Sequence, residues 1–195
     1  MIGAESLRRS GRRVSLIAEP VRDRPVPPDL ILRPERTGDA AAVEALYAAA
    51  FGPGRFVRTA SRVRGDAPHD PAVSFVGERR GIVVGAIRQT PVTVGGSPAY
   101  FLGPLAVAEM AAKQGIGRAL LTLSIDAARK SAADAIVLIG DEPFYGPSGF
   151  KLVPRGSMML DGPVEPHRLL SLPLRGPVSG PLIASDWVWS GPHSS

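Results

Sequence analysis

No cysteine occurs in the 195 residues, which excludes disulfides and thiolate metal ligands. Histidine is scarce as well, and His69, His167 and His193 are scattered without ligand spacing, so no metal site is expected. No apolar run approaches the roughly 18 to 20 residues that span a bilayer, because charged or turn residues interrupt every hydrophobic stretch. These absences give the expectation of a soluble, cytoplasmic chain that makes no membrane contact. Several chemical signatures are missing too: there is no GK[ST] of a P-loop, no GxSxG elbow and no HExxH, so P-loop NTPases, triad hydrolases and zincins lack their markers.

What is present begins with charge. The net charge of +5 is concentrated near the start, where residues 1–36 hold eight arginines against five acids. Residues 1–29 combine arginine pairs, several prolines and no sustained period, which reads as a basic, disordered extension. A nucleic-acid arm is the competing reading of that tail and is the less favoured one; Glu5, Glu19 and Asp23 spoil the acid-poor signature of a transit peptide. The remainder, 30–195, is the right length for one substantial core.

Residues 30–35, LILRPE, alternate as a short strand. A helix follows, with Val43, Leu46, Tyr47 and Ala50 on one face, Asp39 as N-cap, and Gly52 and Pro53 as its stop. GRFVRTASRVRGD repeats the pattern, placing Phe56, Ala60 and Val63 opposite Arg55, Arg58 and Arg62. AVSFVGE, IVVGAIRQTPVTV and AYFLGPLAV, joined by turns at Arg79 to Gly81 and at Gly95 and Gly96, make an antiparallel meander. Gly103 and Pro104 interrupt its last strand, and because proline cannot donate to a ladder, the pair predicts a bulge or a strand that parts from its neighbour. A helix from about Gly115 to Lys130, with Ile116, Leu120, Leu123 and Ala127 along one side, leads to the apolar strand AIVLIGD and completes a parallel β-α-β unit. GFKLV, SMML, HRLLSLPL and SDWVW supply short closing strands, with Trp187 and Trp189 as a packed edge pair.

Two glycines, Gly115 and Gly117, open that helix in AAKQGIGRALL. Glycine permits positive φ and close backbone approach, and a helix start leaves N–H groups without internal partners, so an anion is the natural guest. The dinucleotide pattern GxGxxG fails, since Leu120 stands where its third glycine belongs.

LGPLAVAEMAAKQGIGRALL followed by AIVLIGDEPFYGPSGFKLV resembles the GNAT N-acetyltransferase superfamily, and within it the YhbS-like branch of predicted acetyltransferases. The resemblance runs from about Leu30 to Val153 and is dense between Leu102 and Val153. It implies the GNAT acyl-CoA N-acyltransferase fold, a mixed α/β sheet whose antiparallel N-terminal meander joins a parallel, splayed β-α-β unit. It also implies that acetyl-CoA is the co-substrate. In the family a Q/RxxGxG/A loop binds the pyrophosphate through its amides, which falls here on Lys113, Gln114, Gly115, Ile116, Gly117 and Arg118. A strand bulge that meets the thioester and pantetheine falls on Leu105, Ala106 and Val107. The Gln/Arg position of the loop is Ala112 in this chain, a loss worth about 1.5 to 3 kcal/mol, or roughly ten- to a hundred-fold in affinity. Lys113, Gln114 and Arg118 are the side chains able to compensate.

The second family motif, FYxxxGF, is Phe144, Tyr145, Gly149 and Phe150. By resemblance Tyr145 stands near the CoA sulfur as general acid; the alternative is a tyrosine packed beneath a short helix with its hydroxyl on backbone. An amine of pKa about 10.4 must lose a proton before it attacks. The resemblance assigns no base; Asp141, at the end of the second parallel strand, is the geometrically sensible candidate and Glu109 the weaker one. The implied reaction is direct acetyl transfer in a ternary complex to a primary amine of a small molecule or protein, with a homodimer left open and nucleic acid disfavoured. A non-catalytic acyl-CoA-binding domain is the competing class. Arg58, Arg62, Arg64 and His69 read either as an exposed charged face or as a basic rim for an acidic substrate or the 3′-phosphate of CoA.

Overall fold

The computed structural model describes residues 26–52 and 59–185. The first 25 residues, Phe56 with Arg55 and Arg58, and the Trp187 and Trp189 pair lie outside the described residues.

Strand β1 (Leu30–Pro34) leads through a 3-10 turn into helix α1 (Ala40–Phe51), and the short α2 (Thr59–Arg64) follows. Then come β2 (Phe75–Arg79), β3 (Ile82–Val94) and β4 (Ser97–Val107). Arg80 and Gly81 take φ of 51° and 79°, and Gly95 and Gly96 take 57° and 87°, so both hairpins turn through the positive-φ pairs that two-residue loops favour. Helix α3 (Ile116–Arg129) crosses to β5 (Ala135–Ile139), which precedes α4 (Glu142–Tyr145), β6 (Lys151–Leu152), β7 (Met158–Met159), β8 (Leu169–Pro173) and β9 (Gly180–Ala184).

The sheet runs β1-β2-β3-β4-β5-β8-β6, with β9 on β3 and β7 on β9. All pairs from β1 to β4 are antiparallel, and β4 with β5 is parallel. Helix α3 covers one face, where Phe75, Ile87, Tyr100, Leu102, Ile136 and Leu138 meet Ile116, Leu120, Leu121 and Ile125. The alternate residues Val76, Ala86 and Ala106 face Val43, Leu46 and Tyr47 of α1, and Phe101 and Val137 face Val63 of α2. A two-sided core of this kind follows from the side-chain period of two in each strand.

Several expectations need correction. Ala50 is exposed, leaving Val43, Leu46 and Tyr47 as the buried positions of α1. Asp39 sits at the N-cap of α1 but its carboxylate makes no cap bond there; it takes both Arg33 guanidinium nitrogens at 2.6 and 2.8 Å and the Arg36 amide at 2.7 Å. The buried stripe of α3 is Ile116, Leu120, Leu121, Ser124, Ile125 and Ala128, with Leu123 and Ala127 only half-buried. Ser124 hides that stripe from a hydrophobicity count: its hydroxyl donates to the Val73 carbonyl at 2.6 Å and accepts from the buried Gln89 side chain at 2.7 Å. Strand β9 has no counterpart among the expected strands.

One feature of the sheet positions the site. Strand β4 stays with β3 as far as Val107, yet it pairs with β5 only over Ala99–Phe101. Strand β5 meanwhile stays with β8 along its whole length. The sheet therefore forks beyond Phe101, and among the described residues the β5-facing edge of β4 from Leu102 to Val107 has no strand beside it.

Candidate functional site

The fork opens beside a bulge. Ile87 faces Leu105 and Gln89 faces Leu102, so Arg88 alone on β3 opposes both Gly103 and Pro104 on β4. Gly103 has φ 126°, a conformation glycine alone adopts without strain, and the peptide to Pro104 is cis. The extra residue switches the alternation of β4, so that Leu105 and Val107 join the α3 face and Ala106 the α1 face. Helix side chains hold both carbonyls of the bulge: the Tyr47 hydroxyl donates to Pro104 at 3.0 Å and Arg64 to Gly103 at 3.3 Å. The bulge predicted from the Gly-Pro pair is present, two residues before Leu105, Ala106 and Val107, which line the arm of β4 beyond it.

After β4, a 3-10 turn at Glu109–Ala111 leads to Lys113 and Gly115, both in the left-handed region at φ 61° and 77°. The first bond of α3 is from the Ala119 amide to the Gly115 carbonyl at 3.0 Å. The amides of Ile116, Gly117 and Arg118 thus lie in the unpaired first turn, and those of Gln114 and Gly115 have no backbone acceptor among the described residues. Small residues seat this helix start: a Cβ on Gly85 would lie 3.0 Å from both Ile116 Cγ2 and Leu120 Cδ1. The Gln114 side chain fixes the loop, accepting from Arg79 at 3.1 Å and donating to the Met110 carbonyl at 3.3 Å, while Asp29 grips Arg79 from the other side. Ala112 and Lys113 are exposed.

The two motifs meet. The Arg118 guanidinium lies over the Phe144 ring at 5.3 Å, with its Nη2 buried and without a hydrogen-bond partner. Tyr145 packs edge-on against Phe144 and Phe150, with centroids 4.8 and 5.8 Å apart. A Cβ on Gly140 would fall 2.3 Å from Tyr145 Cε2, so the missing side chain there is what lets the tyrosine ring lie against the end of β5. Burial, and secondarily the Asp141 charge, push the Tyr145 hydroxyl up to about 12. Among the described residues no backbone group hydrogen-bonds that hydroxyl, and the residue lines a cleft.

That cleft, about 790 Å³, is walled by the bulge of β4, the end of β5, Tyr145 and one side of α1 and α2. Asp141 lies at its edge as the N-cap of α4, three-quarters exposed, 3.2 Å from Arg168 Nε. Glu109 is exposed in the 3-10 turn and does not line the cleft. On the opposite wall, sequence reasoning singled out His69 and Arg64 but missed Glu35, Glu44 and Arg88. There Arg88 is bound by Glu35 and Glu44, each at 2.6 Å, and lies 5.5 Å from the Tyr47 ring centroid. His69 Nε2 is 3.5 Å from the buried Glu35. Burial, reinforced by Arg88, pulls this histidine below its ordinary value against the opposing effect of Glu35. Arg62 is exposed, as the charged-face reading expects, but Arg64 is turned into the cleft. The period of a six-residue helix is too short to reveal this.

A model of the acetyltransferase (GNAT) family matches residues 40–146, from the first residue of α1 to just beyond Tyr145. The chain belongs to that family. Among solved structures, it is similar to the GNAT family N-acetyltransferase YhbS of Escherichia coli in complex with CoA. That likeness has 24% identity and a TM-score of 0.68 over 80% of this chain and 90% of that one. It is likewise similar to a GNAT family acetyltransferase of Brucella melitensis in complex with acetyl-CoA, at 27% identity and a TM-score of 0.59 over 80% and 96% of the two chains. No curated protein matches the sequence. The forked sheet is thus a GNAT fold, and these two GNAT relatives hold CoA and acetyl-CoA, respectively. No helix among the described residues is long and apolar enough to cross a membrane.

Proposed function

We propose that this GNAT protein transfers the acetyl group of acetyl-CoA directly to a primary amine of a small molecule or protein, with both substrates bound at once. The observation that carries the reading is the open β4 edge from Leu102 to Val107 running into a loop with unpaired amides. Acetyl-CoA supplies an acetyl group activated as a thioester. The amides from Gln114 to Arg118, with Lys113 and the α3 dipole beside them, receive its diphosphate. Leu105, Ala106 and Val107 offer main-chain groups to the pantetheine arm and to charge developing on the acyl oxygen. Aligning amine and thioester across the fork can by itself supply roughly 7 to 11 kcal/mol of the barrier reduction.

Tyr145 holds its proton at neutral pH and donates it as a hydrogen bond to the departing sulfur. Full transfer from a group near 12 to a thiolate of ordinary pKa about 8.5 is uphill by about 5 kcal/mol. The sulfur therefore leaves as a thiolate held by the Tyr145 hydroxyl, and the proton the amine loses must go to a separate base. Asp141 and His69, on opposite sides of the cleft, are the acceptors placed to take it.

Calorimetry with acetyl-CoA and thiol release with an amine panel test the reading. Tyr145→Phe is expected to lower kcat by about a hundredfold while leaving the acetyl-CoA Kd within about threefold. Binding without turnover of any amine would instead favour a non-catalytic acyl-CoA-binding domain, the reading that Ala112 supports. No heat of binding at millimolar acetyl-CoA would overturn both.

A further inference from the structure

Among the described residues, cations in the cleft wall come with anions, with one exception. Arg88 has Glu35 and Glu44, and Arg168 has Asp141. Glu165, also on the wall, sits 3.3 Å from the His167 imidazole. Arg64, on the last turn of α2, has only the Gly103 carbonyl, at 3.3 Å, and no carboxylate within ion-pair distance among the described residues. One weak bond leaves most of the five guanidinium N–H donors unused. The side chain is largely buried, with Tyr47, Arg88 and Glu44 as its charged or titratable neighbours, and burial pulls its pKa down. Removing a cation from water without a counter-charge is costly, and arginine does not escape the cost by losing its proton.

We propose that Arg64 is the anchor for a carboxylate on the acceptor, so that the substrate is a small amine carrying an acid group. The inference rests on the acetyl-transfer reading for the identity of the cleft. Gly103 lies two residues before Leu105, about 7 Å along the strand. A carboxylate paired with Arg64 therefore leaves its amine only a few bonds away to meet the thioester, the spacing of an amino acid. The planar fork of the guanidinium suits a bidentate carboxylate. Glu35 and Glu44 serve the same end by neutralising Arg88, which leaves Arg64 as the cation to which an incoming acid is drawn.

The test compares turnover of glycine, β-alanine, 4-aminobutyrate and the common L-amino acids with that of their carboxamides. The acids are expected to be favoured in kcat/KM by about tenfold or more, as a lost charge-assisted pair requires. Arg64→Gln removes the charge; it is expected to erase the preference, read as the ratio of acid to carboxamide kcat/KM within that one variant, so that any general loss of activity cancels. Arg64→Lys retains part of it. Carboxamides served as well as acids, or a preference that survives in Arg64→Gln, would overturn the proposal while leaving acetyl transfer standing. Should no amine turn over, β-alanine and its amide are titrated into the CoA-saturated and the free protein. Heat with the acid that vanishes in Arg64→Gln supports the anchor, and its absence refutes it. Failure of acetyl-CoA itself to bind is a separate result and strikes the acetyl-transfer reading alone.

Discussion

The Tyr47 hydroxyl donates to the carbonyl of Pro104 at 3.0 Å, tying the middle of α1 to the bulge that opens the sheet. Burial holds the phenol well above its usual pKa, so it remains a donor throughout the neutral and moderately alkaline range. Replacing it by phenylalanine keeps the ring and strands the carbonyl. Tyr47→Phe should cost about 1 to 3 kcal/mol, read as a lower urea midpoint at unchanged slope. The same variant should lower acetyl-CoA-dependent turnover, because the bulge shapes the arm of β4 that includes Leu105. An unchanged midpoint would mean that water satisfies Pro104 equally well.

Gly140 offers a cleaner way to move Tyr145 than replacing it. A methyl group 2.3 Å from Tyr145 Cε2 and 2.9 Å from Leu138 Cδ1 cannot be accommodated in place, so Gly140→Ala must displace the ring and press on that core side chain. The three atoms nearest that methyl group belong to Tyr145 and Leu138, none to the loop proposed to hold the diphosphate. Turnover is expected to fall by about tenfold or more, as misplacing a reacting group does, with acetyl-CoA affinity preserved within about threefold. Equal losses in both would mean that the whole α4 segment, not the tyrosine alone, has shifted.

Ala112 marks where the loop departs from the family pattern. Its backbone, at φ −64° and ψ 153°, accepts any side chain, and the position is exposed, so Ala112→Gln can be introduced without strain. A regained hydrogen bond to a charged diphosphate should tighten acetyl-CoA binding by about tenfold in calorimetry. No change would show that the bare amides, with Lys113 or Arg118, already do the work of the missing side chain.

Most of the scaffold was legible because its signals are local. Arg80-Gly81 and Gly95-Gly96 set the two hairpins, Gly-Pro set the bulge, and a glycine before Ile116 set the start of α3. What stayed hidden depends on contacts between distant segments. Asp39 has the composition of an N-cap, yet two guanidinium nitrogens of Arg33 outbid the helix amides for its carboxylate. Strand β9 is a five-residue run bounded by turn residues, and it exists because β3 extends past the end of β2 and leaves an edge to fill. Of the site, the loop and Tyr145 belong to contiguous motifs and could be read directly. The wall formed by Glu35, Arg88, His69 and Arg64 comes from three separate segments: Arg64 and His69 share one stretch that reads as a possible basic rim, and no spacing in the chain brings Glu35 and Arg88 to it.

Stability should form a plateau bounded by identifiable groups. Buried Tyr47, Tyr100 and Tyr145 all have folded-state values raised above the ordinary 10.0, the last to about 12. The unfolded chain therefore releases their protons first, and stability is lost as pH rises above about 10. His69 shifts the other way: its folded value lies below 6.5, so the unfolded chain takes up the proton more readily and stability falls as pH drops below 6.5. Glu35, Asp70 and Glu44 oppose that shift and Arg88 adds to it, so the slope belongs to the cluster. Asp39, held down to about 2 chiefly by its hydrogen bonds from Arg33, contributes stability that disappears between about 3.8 and 2. Urea midpoints measured from pH 3 to 11 should be flat between about 7 and 9 and decline on both sides. His69→Gln should remove the decline between 6.5 and 5 while leaving the alkaline limb intact. If that variant keeps the full acid-side slope, the imidazole is not the group that titrates, and its placement as a neutral proton acceptor in the cleft fails with it.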